Sequence, residues 1–183
     1  NYKITSTATM SISIQEMFTL GIGPSSSHTV GPMRASSLFL QALRDNDCIT
    51  QCHRITIELF GSLAHTGVGH GTDRALIMGL MGEKPESVDP VAGQQAVEQA
   101  ITSQRLPLPG GQQIHFNYES DLIFNHKDLL PEHSNGMRFV ALSSSNKELF
   151  SRNYFSVGGG FVHDDISHDQ LAISSAPEQV KYP

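Results

Sequence analysis

Residues 54–60, Arg-Ile-Thr-Ile-Glu-Leu-Phe, alternate polar and apolar side chains and are rich in β-branched residues. A period of two specifies a strand with one face buried, and Gly61 ends it. On either side the period changes. After Pro32, Met33, Leu38, Leu40 and Leu43 follow helical spacing, with Ala35 and Ala42 between, for a helix of about four turns. A second helix runs through Ala75, Leu76, Met78 and Leu80, with Thr72 as its expected N-cap and Asp73 suited to its positive end. Residues 91–104 give a third, more polar helix, and Ile14, Met17 and Phe18 give helical spacing over 13–20. The second half differs: 114–118, 121–124, 137–143, 147–155 and 161–162 read as short strands between turn residues. Strands gathered late behind early helices specify an α+β fold, a mixed or antiparallel sheet packed with helices.

At 183 residues and 19.9 kDa the chain suits one domain with its own core. Residues 1–10 read as a leader or added residues, 11–163 as the domain, and 164–183, polar and Pro-containing, as the start of a linker. Charged residues are only 16%, against about 25% in average domains, which suits a chain that covers part of itself with a partner. Twelve basic against eighteen acidic residues give a net charge of −6, with no Lys/Arg cluster, so nucleic-acid binding is disfavoured. No apolar run is long enough to cross a bilayer, and no apolar segment follows Lys3 as in a secretory signal, so a cytoplasmic location is expected. Cys48 and Cys52 read as unpaired thiols; two cysteines alone make neither a tetrahedral zinc site nor an iron–sulfur site.

Four segments carry candidate chemistry. In Gly23-Pro24-Ser25-Ser26-Ser27-His28-Thr29, hydroxyls and a histidine open a helix whose unpaired N–H groups attract a carboxylate or phosphate. The plainer reading is a Ser-rich capping turn. Along residues 61–73, His70 lies between two glycines at a helix mouth. Glycine neighbours bring no side chains to pack a ring, which favours close approach of a ligand, and the positive helix end favours a neutral imidazole able to accept a proton. The alternative is a loop histidine bonded to its own turn. His133-Ser134-Asn135-Gly136 offers two directional polar side chains, or an ordinary Asn-Gly turn. Residues 156–160, Ser-Val-Gly-Gly-Gly, allow a close backbone approach or a hinge. Nine histidines also raise metal binding, although no HxxxH pair falls on a predicted helix, and His163 and His168 fall in the expected tail.

Taken together, FTLGIGPSSSHTVGPMRA, LFGSLAHTGVGHGTDRA, LLPEHSNGMRF and YFSVGGGF, in that order, resemble the N-terminal β domain of the iron–sulfur-type bacterial L-serine dehydratases. The resemblance spans roughly residues 11–161. It implies a fold like the allosteric substrate-binding domain of some phosphoglycerate dehydrogenases, and conversion of L-serine to pyruvate and ammonia. The [4Fe–4S] cluster that takes the serine hydroxyl belongs to a separate α domain of the same polypeptide, toward which residues 181–183 lead. The resemblance makes His70 the base that removes the Cα proton. It places Ser25, Ser26, Ser27, His28, His133 and Asn135 along the substrate pocket, assigns no metal ligand to this chain, and suggests a homo-oligomer. Val68 stands where many relatives carry lysine, and His65 where an apolar residue is common. Two other classes compete: a regulatory module binding serine or another small carboxylate, and a histidine metalloprotein.

Overall fold

A computed structural model describes residues 25–166. The readings for 1–10 and 13–20, and nearly all of that for 164–183, fall outside the described residues. Five helices are described: α1 (Gly31–Asp45), α2 (Gly61–Thr66), α3 (Thr72–Leu80), α4 (Pro90–Ser103) and α5 (Tyr118–Asp121). The strands are β1 (Arg54–Phe60), β2 (Arg105–Pro107), β3 (Gln113–His115), β4 (Leu122–Asn125), β5 (Gly136–Leu142), β6 (Glu148–Gly158) and β7 (Phe161–Asp164). They form one seven-stranded mixed sheet in the order β2-β3-β1-β5-β6-β7, with β4 also on β1. This is the expected α+β architecture.

β1 is the hub. Its first residue, Arg54, pairs parallel with His115 of β3, and Ile57–Phe60 pair parallel with Leu122–Asn125 of β4. Its other edge runs antiparallel to β5, Arg54 opposite Leu142 and Leu59 opposite Met137. Ile55, Ile57 and Leu59 are fully buried on one face, while Arg54, Thr56 and Glu58 on the other are partly exposed. The alternation read from sequence is thus the pleat of a half-buried strand. The core on the buried side joins Phe39, Leu40 and Leu43 of α1, Leu76, Ile77 and Leu80 of α3, and Phe139 and Tyr154 from the sheet.

Helices α1 and α3 pack closely where Gly79 meets α1. A Cβ at Gly79 would overlap the Met33 carbonyl oxygen and come 2.7 Å from Ser36 Cβ. Ser36 Oγ–H, fully buried, donates to the Leu76 carbonyl at 2.9 Å across the same crossing. The contact therefore depends on the absence of a side chain at Gly79.

Local chemistry explains the departures from the sequence reading. Residues 61–66, which draw no reading beyond Gly61 as the end of the strand, fold as a helix, and the three-residue β2 exists through its pairing with β3. Tyr118 begins a helical turn instead of continuing a strand, because Asn117 Oδ1 accepts from the N–H groups of Glu119 (3.0 Å) and Ser120 (3.3 Å). His163 lies in β7, opposite Phe155, and not in a tail. Thr72 is not the N-cap of α3; Gly71 holds that position with a left-handed backbone (φ +69°).

Gly79→Ala should lower the thermal and chemical denaturation midpoints. Helix propensity favours alanine by about 1 kcal/mol, but overpacking against a backbone carbonyl costs more, about 1–3 kcal/mol. A midpoint equal to or above that of the parent chain would contradict the close α1–α3 crossing.

Candidate functional site

The site forms at the C-terminal end of β1. There Gly61 adopts φ +55°, and a Cβ on it would overlap the Ser134 carbonyl oxygen. The turn launches α2 and sets Ser62, whose N–H donates to that same carbonyl at 2.9 Å. The 133–136 segment is thereby held against the start of α2. At the far end of α2 the chain tightens into a single 3₁₀ turn, Val68–His70, before Gly71 redirects it into α3.

Opposite this, residues 26–30 form a π-helical turn running straight into α1. π turns are rare and are often found at functional sites. Ser25 caps it: its Oγ accepts from the His28 N–H at 3.2 Å, and its carbonyl accepts from the Thr29 N–H at 3.0 Å. The first-turn N–H groups of residues 28 and 29 are therefore already used.

The turn brings His28 to His70, with ring centroids 4.9 Å apart and planes tilted by 41°. Both rings are partly exposed. His28 Nδ1 shares a hydrogen bond with Ser27 Oγ (2.9 Å) and Nε2 one with Ser62 Oγ (3.0 Å); Ser27 Oγ in turn lies 3.3 Å from Ser25 Oγ. Burial holds the His28 pKa below its ordinary value, the nearby His70 lowers it further, and bonding to Ser62 works the other way.

His70 is anchored differently. Its Nδ1 lies 2.9 Å from the Thr66 carbonyl oxygen. A carbonyl only accepts, so Nδ1 carries the proton and the neutral ring has its lone pair on Nε2. An imidazole fixed in this tautomer can accept a proton at Nε2.

Of the residues expected at a pocket, Ser25, Ser27, His28 and His70 meet in one cluster, and Ser26 is exposed at the start of the π turn. His133 Nδ1 accepts from the Asn135 N–H at 3.0 Å, so its ring partly serves its own turn. Asn135 is buried; its amide donates to the Ser156 carbonyl at 3.1 Å, and its carbonyl accepts from the Ser156 N–H at 3.1 Å. Asn135 Oδ1 and Ser156 Oγ are buried without a partner among the described residues. The 133–136 and 156–160 segments thus adjoin each other, and the first reaches the histidine cluster through Ser134 and Ser62. Sequence reading missed Ser62, Thr29 and Thr72 as members of the cluster. Ser62 was legible only as the polar residue beside the strand-ending glycine.

No group of three or more His, Cys, Asp or Glu among the described residues is placed to hold a metal ion. The sequence has two cysteines, and a cluster needs more thiolates than that. Cys52 is buried, its thiol pushed up to about 11 chiefly by that burial, and it precedes β1, whereas the histidines gather past the other end of that strand, about 20 Å away. These donors do not fit an iron–sulfur cluster. Among the described residues, no helix is long and apolar enough to cross a membrane.

The lowered His28 pKa makes stability pH-dependent. Below about pH 6.5, its ordinary value, the unfolded chain binds the proton more readily than the folded one. His28's contribution should therefore be complete above that value and fade as pH falls through it toward the folded-state pKa. Denaturation midpoints at pH 7.5 and 5.5 should show a smaller acid loss in His28→Gln than in the parent chain; equal losses would contradict the geometry.

Residues 13–167 match the family model for the serine dehydratase beta chain. The L-serine dehydratase of Streptomyces coelicolor is 40% identical over 95% of this chain and 38% of its own length. The L-serine dehydratase of Haemophilus influenzae is 42% identical over 94% and 37%. L-serine dehydratase TdcG of Escherichia coli is 44% identical over 86% and 36%. The chain thus spans little more than a third of the curated relatives it matches. With the family model covering most of its length, this chain belongs to the serine dehydratase beta chain family.

Proposed function

We propose that this chain is the β domain of an L-serine dehydratase, in which His70 removes the Cα proton of L-serine during β-elimination to pyruvate and ammonia. The observation that carries this reading is the Nδ1–H bond of His70 to the Thr66 carbonyl, which leaves Nε2 as the basic atom. A Cα proton is weakly acidic, so a base must be held in place and in the right tautomer. The backbone anchor does both, and because it uses a carbonyl it survives changes in neighbouring side chains.

The rest of the pocket follows from the same cluster. Ser26, exposed at the mouth of the π turn, offers a hydroxyl that suits the substrate carboxylate. Ser25 and Ser27 orient His28, which stands beside the base. His133 and Asn135 line the far side, with the buried Asn135 Oδ1 an acceptor still in want of a donor.

Loss of hydroxide from Cβ needs an electrophile, which the family resemblance assigns to a [4Fe–4S] cluster on an α domain of the same polypeptide. The donor set here does not fit that group, so this chain's part ends at proton removal and binding. Both imidazoles are partly exposed in this chain. The histidine face would become a closed pocket when a second domain covers it, excluding water from the reaction.

Two outcomes test this. The 183-residue chain alone should produce no pyruvate from L-serine, and sustained turnover by it would overturn the division of labour. In the complete, cluster-loaded dehydratase, His70→Ala should lower kcat by about 10²–10⁴-fold with the cluster absorbance intact. Near-normal turnover would remove His70 from the chemistry. The same variant should fold normally, because the Thr29 contact is to the His70 backbone carbonyl and not its ring.

A further inference from the structure

Two threonines lace the histidine segments together in a way that neither the motifs nor the proposed chemistry uses. Thr29 Oγ1–H donates to the carbonyl of His70 at 2.9 Å, and Thr72 Oγ1–H donates to the carbonyl of His28. The bonds are reciprocal: each hydroxyl belongs to one histidine's segment and grips the other's backbone. Both threonines are fully buried, so water does not compete for either hydroxyl. Each end is also pinned by its own amide. The Thr29 N–H donates to the Ser25 carbonyl at 3.0 Å, and the Thr72 N–H to the Gly67 carbonyl at 2.9 Å.

The clasp acts alongside the partners that the two rings hold for themselves. His28 faces the hydroxyls of Ser27 and Ser62 and the ring of His70. His70 faces the Thr66 carbonyl. The nearby charges on α3 are engaged elsewhere: Asp73 accepts from the Tyr118 hydroxyl at 2.7 Å, and Arg74 pairs with Glu98 and Gln94. The charge of His70 bears on His28, lowering its pKa beyond what burial does, and a charge acts more strongly the nearer it stands.

We propose that Thr29 and Thr72 are positioning residues whose crossed hydroxyl-to-carbonyl bonds set the separation of His28 and His70. The structural part stands by itself; its effect on turnover rests on the reading of His70 as the base.

The test uses the complete polypeptide, labelled on histidine for ring NMR, with Thr29→Val, Thr72→Val and the hydroxyl-retaining Thr29→Ser and Thr72→Ser. Valine keeps the shape and removes the donor. The valine variants should move the His28 titration midpoint toward the ordinary histidine value, shift the acidic limb of kcat/KM with it, and lower kcat/KM about 10–100-fold. The serine variants should restore all three. Titrations that move while turnover and its pH profile stay as in the parent support the clasp and count against His70 as the base. Folded valine variants whose histidine titrations match the parent overturn the clasp, whatever happens to activity. If Thr72→Val fails to fold, Thr29→Val breaks the other half and decides the question; serine variants that titrate unlike the parent also overturn it.

Discussion

The geometry of the candidate site rests on how β1 ends. Seven residues of alternating strand are clamped between parallel β3 and β4 on one edge and antiparallel β5 on the other, so their position is over-determined. The strand then breaks at a glycine in a left-handed conformation with no room for a side chain under the Ser134 carbonyl. From that point α2 carries Ser62 to His28 and offers the Thr66 carbonyl to His70. A side chain at Gly61 would push the 133–136 segment and α2 apart and separate these partners together. The rigid sheet thereby holds a polar cluster that could not pack itself.

Much of this was legible in sequence because it is local. The pleat of β1 and the apolar stripes of α1 and α3 are direct consequences of side-chain period, and each forms where its pattern lies. The features missed depend on remote partners. Residues 61–66 carry no clear period, and become helical because a strand end and a distant carbonyl fix the turn that precedes them. Thr72 has the composition of an N-cap, yet its hydroxyl is drawn to a carbonyl 44 residues earlier in the chain. The His28–Ser62 bond spans 34 residues and the Thr29–His70 bond 41. No short-range pattern encodes such pairings. His28 and His70 stood out as histidines set among serines and glycines, but their mutual contact and the tautomer of His70 belong to the tertiary structure.

The donor chemistry divides the proposed reaction between two places. This chain holds hydroxyls, imidazoles and helix ends, which suit the recognition and deprotonation of a small amino acid. Its two thiols are few, partly or fully buried, and set at the opposite end of β1 from the histidines. That donor set agrees with the proposal that the electrophile for the departing hydroxide belongs to a separate domain. A sequence with only 16% charged residues agrees with a domain that works while partly covered.

The measurement that bears most directly on this account is a structure of the complete dehydratase with L-serine, or an unreactive analogue, bound. The account predicts Cα of the ligand about 3–3.5 Å from His70 Nε2, with Nδ1 still on the Thr66 carbonyl. A ligand bound away from that nitrogen, or a His70 ring turned out to solvent in the closed enzyme, would contradict it.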